Sequence, residues 1–187
     1  MFLDRDGVLN LLVLNPATGE HESPWRADLM AAAPGAAEAL AALNGAGYLL
    51  FLVSNQPSAA KGKCRLQDLE DAHARLMAAL ASPTFTECYY CYHHPDGVVP
   101  ALTGPCPCRK PSPHFLLKAA ADYGVDLARS WMIGDQDRDL EAGRRAGCRT
   151  VLVEAPESAG KRGAETPDLR AADVAAAARA ILKEIQP

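Results

Sequence analysis

Apolar residues in this chain gather into short, nearly unbroken runs, and several of those runs stop at polar residues of catalytic type. Tyr48 to Val53 is continuous apolar sequence between polar neighbours, the pattern of a strand buried on both faces by helices. Met1-Phe2-Leu3, Trp131-Met132-Ile133 and Thr150 to Val153 repeat it in shorter form, and Phe85 to Tyr92 alternates weakly with aromatics, as a strand does. Helical signals fill the intervals. Pro34-Gly35 opens an Ala/Leu/Glu stretch to about Asn44, closed by Gly45 and Gly47. Leu66 to Leu80 carries apolar residues at Leu69, Ala72, Leu76, Ala79 and Leu80, one face of a helix. Pro113 starts a helix that Gly124 stops, Asp137 to Ala146 forms another with Gly147 as its cap, and Ala171 to Ile185 closes the chain. Asn10 to Ala33 has no sustained period and reads as a long loop over the site, His93 to Pro113 is a proline- and glycine-rich loop, and Glu154 to Pro167 is polar and expected to be mobile. Five strands alternating with helices predict an α/β fold, a three-layer doubly wound parallel sheet. Such sheets bind ligands at the carboxyl ends of their strands, beside the point where strand order reverses.

Length and charge narrow the function. At 187 residues the chain suits a single domain, 1–187, with one inserted loop. A net charge of −4 and pI near 5.7 offer no basic footprint for nucleic acid or an anionic membrane. An anionic substrate must therefore be held locally, by a few Lys, Arg, backbone N–H groups and metal. No apolar run approaches the roughly 18 residues of a membrane span, and the N-terminus carries acids in place of a basic stretch and apolar core. The expectation is a soluble, unexported, cytoplasmic monomer. Four of the six cysteines fall between Cys88 and Cys108, in a chain with enough core to fold without staples, which favours a metal site over disulfides.

The candidate chemistry lies where the strands end. Asp4 and Asp6 sit two positions apart, so both carboxylates leave an extended backbone on one side, and Gly7 lets the chain turn back to Val8 and Leu9. Two crowded carboxylates call for a divalent cation or a shared proton between them, unless the stretch is an ordinary acidic turn. Ser54-Asn55 and Gly134-Asp135 end two further strands, and Lys110 comes from the loop before a helix. A second constellation is Cys91-x-His93, twelve residues, then Cys106-x-Cys108. Three thiolates and an imidazole fit the closed shell of structural Zn²⁺, although the one-residue spacing is tighter than the usual two to four, His94 is a competing ligand and Cys88 a competing thiol. Such a knot, immediately before Arg109-Lys110, would stiffen the loop that aims those cations.

Asp4-x-Asp6-Gly7, the strand ending in Ser54-Asn55, Arg109-Lys110-Pro111 and Gly134-Asp135-x-x-x-Asp139, in that order, resemble the four motifs of the haloacid dehalogenase phosphatase superfamily. The resemblance runs from Phe2 to about Val153. It implies a capless Rossmann-like fold, Asp4 as the nucleophile that forms an aspartyl-phosphate, and Asp6 as the acid and base. It also implies Mg²⁺ held by the Asp4 carboxylate, the Asp6 backbone carbonyl and Asp135, with Asp139 supporting that shell, and Ser54 and Lys110 on the phosphate oxygens. Cys91-x-His93-His94-Pro95 with Cys106-x-Cys108-Arg109-Lys110-Pro111 is similar to the D,D-heptose 1,7-bisphosphate phosphatases and their relatives, the histidinol-phosphate phosphatases. The heptose reading implies that Arg109 meets the substrate at its distal phosphate and Asn55 a sugar hydroxyl. The partner is then a small phosphorylated sugar or amino alcohol, with another sugar phosphate or a nucleic-acid 3′ end as the remoter choices. Pro57, where such enzymes often carry Ser, removes a backbone N–H from the phosphate side of the site, Gln136 stands where some relatives have Lys, and only three residues precede Asp4.

Overall fold

The computed structural model describes residues 1–81, 85–163 and 165–184. Its centre is a parallel sheet of six strands: β1 (Phe2–Leu3), β4 (Leu50–Asn55), β5 (Phe85–Cys91), β6 (Trp131–Gly134), β7 (Arg149–Val153) and β8 (Leu169–Ala171). Two short antiparallel strands, β2 (Val13–Leu14) and β3 (His21–Glu22), form a separate hairpin. The helices are α1 (Ala36–Gly45), α2 (Leu66–Ala79), α3 (His114–Tyr123), α4 (Asp137–Ala146) and α5 (Val174–Glu184). Spatial order is β5-β4-β1-β6-β7-β8. The chain winds outward from β1 through β4 to β5, then returns to the other side of β1 and winds outward again, so the order reverses at β1. Leu3 is in register with both Leu52 and Ile133. The carboxyl ends of β1, β4 and β6 are thereby brought side by side at the switch point.

The unbroken apolar runs follow from burial on both faces. Leu3, Leu50, Leu52, Ile133 and Val151 pack with Leu40 and Leu43 of α1, Leu76 of α2 and Ile181 of α5. Phe2, Phe51, Val53 and Met132 pack on the opposite face with Leu116 of α3 and Ala146 of α4. Aromatic rings run along that second face, Phe2 on Phe51 at 5.2 Å and Tyr89 on Phe115 at 4.9 Å between centroids. Gly124 and Gly147 end α3 and α4 in the left-handed conformation, as their positions predict.

Three expectations change. The closing helix starts at Val174, three residues later than expected, because Leu169–Ala171 forms the sixth strand, with Val153 facing Ala171; Ile185 lies outside the described residues. Three residues of mixed burial have no period to read. The segment read as polar loop from Glu154 to Pro167 contains a 3₁₀ helix over Pro156–Lys161 with Ser158 fully buried. Ser158 finds its partners on the main chain just beyond β6 and β7, at Asp135 O and Ala155 O, which hydropathy does not report. Third, the loop from Asn10 to Ala33 contains the hairpin and a turn of 3₁₀ helix at Ala27–Leu29. No helix among the described residues is long and apolar enough to cross a membrane.

Candidate active site and metal centres

Asp4 follows β1 directly, and its N–H donates to Ile133 O at 2.9 Å, tying it to β6. Asp4 Oδ1 accepts the Arg5 N–H at 2.7 Å and lies 2.9 Å from Lys110 Nζ. Lys110 is almost wholly buried, and its ammonium also reaches Asp139 Oδ1 at 2.7 Å and Val53 O at 2.7 Å. A buried ammonium needs such company, because an unpaired one is strongly disfavoured. Ligating-type oxygens of Asp4, Asp135 and Asp139 all lie within 4.8 Å of one another. Gly7 makes that packing possible. It holds φ +77°, and a Cβ there would stand 2.4 Å from Asp135 Oδ2.

The crowding shows in the proton affinities. Burial raises the Asp135 carboxyl to about 8, with Asp139 and Asp4 adding to the shift. Asp4 is raised to about 6, again by burial first, with Lys110 opposing and Asp139 and Asp6 reinforcing. Burial would lower the Lys110 ammonium, but Asp139 and Asp4 hold it above its ordinary value. Asp135 Oδ1 is buried with no hydrogen-bond partner, Oδ2 receives Gln136 Nε2 at 3.4 Å, and hydrogen bonding from Ser158 and Gln136 opposes the rise in its proton affinity. Carboxylate oxygens that are buried, crowded and partly unsatisfied are the donor set that a hard divalent cation such as Mg²⁺ takes. Asp139 differs, since Lys110 occupies Oδ1 and the Gln136 N–H donates to Oδ2 at 3.1 Å.

Asp6 is held differently from Asp4. Its Oδ1 accepts Arg5 Nε at 3.1 Å and Asn10 Nδ2 at 3.0 Å, and Gln56 Nε2 donates to its other oxygen. Arg5 is itself fully buried and bonds Gln56 Oε1 at 2.8 Å and Pro24 O at 3.3 Å. Sequence reasoning missed both Arg5 and Gln56. The signal was present, because a charged residue between two acids in an otherwise buried strand end needs a partner.

Asp4 and Asp6 open onto a cavity of about 280 Å³ at the switch point. Asn55, Pro57, Arg109 and Lys110 line it, and Glu20, Glu22 and Ser23 close it from the hairpin, as expected of a loop over the site. The sequence did not single out four further wall cations, Lys61, Lys63, Arg138 and Lys161. They come from three segments, the turn after β4 (Lys61 and Lys63), the start of α4 (Arg138) and the 3₁₀ helix after β7 (Lys161), whose convergence no local pattern shows. Burial lowers Lys61, and Lys63, Arg109 and Arg138 lower it further. Arg109 is lowered by burial and then by Arg138. Ser54 is buried and does not line the cavity; its Oγ accepts Gln56 Nε2 at 3.0 Å. Asn55 exchanges two bonds of 3.0 Å with the main chain of Lys110. Its geometry is first that of a clamp on the lysine loop, and a sugar contact would rest on its one remaining N–H.

Cys91, His93, Cys106 and Cys108 converge with donor atoms within 4.8 Å of one another. No disulfide forms; Cys106 and Cys108 Sγ are 2.9 Å apart as free thiols. His93 Nδ1 is buried without a hydrogen-bond partner. Three sulfurs and an unsatisfied imidazole suit a tetrahedral soft-ligand ion, and Zn²⁺ fits them. The competitors fall away. His94 Nδ1 accepts the Asp96 N–H and lines the cavity, and Cys88 lies against the apolar core with its thiol pushed by burial to about 11. Arg109 next to the cluster donates to His93 O at 3.1 Å.

The chain is similar to known phosphatases. A HAD-hydrolase-like family model matches residues 107–180. A D-glycero-beta-D-manno-heptose-1,7-bisphosphate 7-phosphatase of Pseudomonas aeruginosa is 35% identical over 187 residues, covering 98% of this chain and 97% of that protein. A D-glycero-D-manno-heptose-1,7-bisphosphate 7-phosphatase of Thermosynechococcus vestitus is 34% identical, over 100% of this chain and 97% of that one. Among solved structures, the D,D-heptose 1,7-bisphosphate phosphatase of B. bronchiseptica, complexed with magnesium and phosphate, superposes with a TM-score of 0.80. It is 32% identical and covers 98% of each chain.

Proposed function

The chain belongs to the HAD-like phosphatase family, and from that premise we propose that it removes the 7-phosphate of a heptose 1,7-bisphosphate. The observation that carries the reading is the three-carboxylate cluster around Lys110 at the edge of a cavity whose walls bring Lys61, Arg109 and Arg138 together. A monophosphate needs one cationic pole, whereas a bisphosphate also needs a second, away from the nucleophile, and the crowded wall cations supply it.

Asp4 is the nucleophile. Its Oδ1 is held by the Arg5 N–H and Lys110, and no hydrogen bond from the described residues holds Oδ2. A carboxylate oxygen attacks phosphorus, the bond from phosphorus to the sugar oxygen breaks, and Asp6 gives that oxygen a proton. Asp6 then takes a proton from water as the water attacks the aspartyl-phosphate, which frees phosphate and restores Asp4. Arg5, Asn10 and Gln56 fix Asp6 in one orientation for both steps. Lys110 balances the charge of Asp4 and Asp139, and Ser54, buried behind the cavity wall, acts through Gln56, whose amide N–H its hydroxyl accepts. Asp4, Asp135 and the Asp6 main chain would hold Mg²⁺, which when bound offsets the negative charge of the phosphoryl oxygens. The Cys91, His93, Cys106, Cys108 set would hold Zn²⁺ as a structural ion.

The test is phosphate release with Mg²⁺ from heptose 1,7-bisphosphate and histidinol phosphate side by side, with kcat/KM for each. A large preference for the bisphosphate is expected, with turnover abolished in Asp4→Asn. Preference for histidinol phosphate overturns the substrate assignment, and full activity of Asp4→Asn overturns the mechanism.

A further inference from the structure

The stretch from Glu154 to Gly163 crosses the carboxyl ends of β6 and β7 as a strap, and it grips one atom of the site, the main-chain oxygen of Asp135. Arg162 Nε donates to that oxygen at 3.1 Å, and Ser158 Oγ lies 3.3 Å from it. Both groups are themselves pinned. Arg162 Nη2 reaches Ser158 Oγ at 2.9 Å, Val153 O at 3.4 Å and Ala155 O. Ser158 is fully buried, with Oγ 3.0 Å from Ala155 O.

What makes it consequential is how little else orients Asp135. One carboxylate oxygen has no hydrogen-bond partner, and Gln136 Nε2 reaches the other at a long 3.4 Å. Its side-chain position is therefore inherited from the main chain, which the strap fixes, and from the tight approach to Gly7. We propose that Ser158 and Arg162 are positioning residues that set the affinity of the Asp135 carboxylate for the divalent cation. The inference rests on the reading that Asp135 helps to hold that ion. Partners of this kind, one bond removed from a ligand, are typically worth about 10- to 100-fold in metal affinity.

Mn²⁺ serves as the probe ion, with free Mn²⁺ read by electron paramagnetic resonance in the full chain. Arg162→Gln is expected to weaken Mn²⁺ binding by about 10-fold or more, with an unchanged far-UV spectrum. Ser158→Ala shifts binding in the same direction, and if Arg162→Gln does not fold, Ser158→Ala decides. In Mg²⁺ titrations of turnover, half-saturation should rise by more than kcat falls. Arg170→Ala is the control, since it removes an exposed ion pair to Glu154 at the start of the same strap without touching Asp135. Folded strap variants that bind Mn²⁺ as the unaltered chain does overturn the proposal, as does an equal loss in Arg170→Ala. An unaltered chain that binds no Mn²⁺ overturns the cation reading beneath it, a result distinguishable because it needs no variant.

Discussion

Gly7 is where a backbone need and a chemical one coincide. Alanine there pays the left-handed penalty of about 1–2 kcal/mol, and its methyl would enter the space of Asp135 Oδ2. Gly7→Ala should therefore lower Tm by roughly 2–8 °C and reduce phosphatase turnover far more than that loss of stability explains. Turnover that falls only in step with unfolding would refute the close-approach argument. Lys110 makes the opposite case, a charge needed because its neighbours are charged. Lys110→Ala leaves Asp4 and Asp139 facing each other in a buried site, and it should cost about 3–5 kcal/mol in urea unfolding with chelator present. Turnover should fall by about 10²–10³ as well. Asp4, Asp6, Asp135 and Lys110 were legible in the chain because each belongs to a short motif at a strand end. Arg5 showed only that a charge between two acids needs a partner, and Gln56 showed nothing, since it holds Asp6 and Arg5 across the gap between two strands.

At the scale of elements, two loops carry testable structure. The cysteine loop should retain one zinc per chain through purification without chelator, and Cys106→Ala should lose it. Elemental analysis that finds no zinc in the unaltered protein removes the assignment. The sixth strand is anchored by Asp168, whose carboxylate accepts the Thr150 N–H at 2.7 Å and Oγ1 at 2.8 Å. Burial alone would raise this carboxyl, but the bonds from Thr150 hold it below its ordinary value. A lowered folded-state value means stability that is present above the unfolded value and lost as pH falls through the folded one. Asp168→Asn should thus be less stable than the unaltered protein at neutral pH, and the gap should close with acidification. A gap independent of pH would place the effect elsewhere. Thr150 and Asp168 are eighteen positions apart, so β8 could not be read from its own three residues.

For the whole molecule, net charge and local charge have opposite signs. The chain carries −4 overall, yet around the cavity Arg109 and Arg138 are close enough to lower the proton affinity of Lys61, and Arg138 that of Arg109. Anion capture by such a wall is screened by salt, because the Debye length shrinks from about 10 Å at 0.1 M to about 3 Å at 1 M. KM should rise severalfold over that range with kcat little changed; an unchanged KM would mean that the wall does not meet the substrate. The full wall was invisible in the composition, since its cations come from separate segments, the turn after β4, the loop before α3, the start of α4 and the 3₁₀ helix after β7, and none carries a basic run. The sequence by itself determined the alternation of buried strands and helices, the carboxylates at the ends of β1 and β6, and the paired cysteines before Arg109. Those features are local, and periodicity and spacing are local quantities. Only the tertiary structure decided that the polar stretch after β7 folds back on Asp135, that Asn55 clamps the Lys110 loop, and that Lys61, Lys63, Arg138 and Lys161 join Arg109 and Lys110 in one cavity. Each depends on which strand ends lie side by side, and that is fixed by the order in which the sheet is wound.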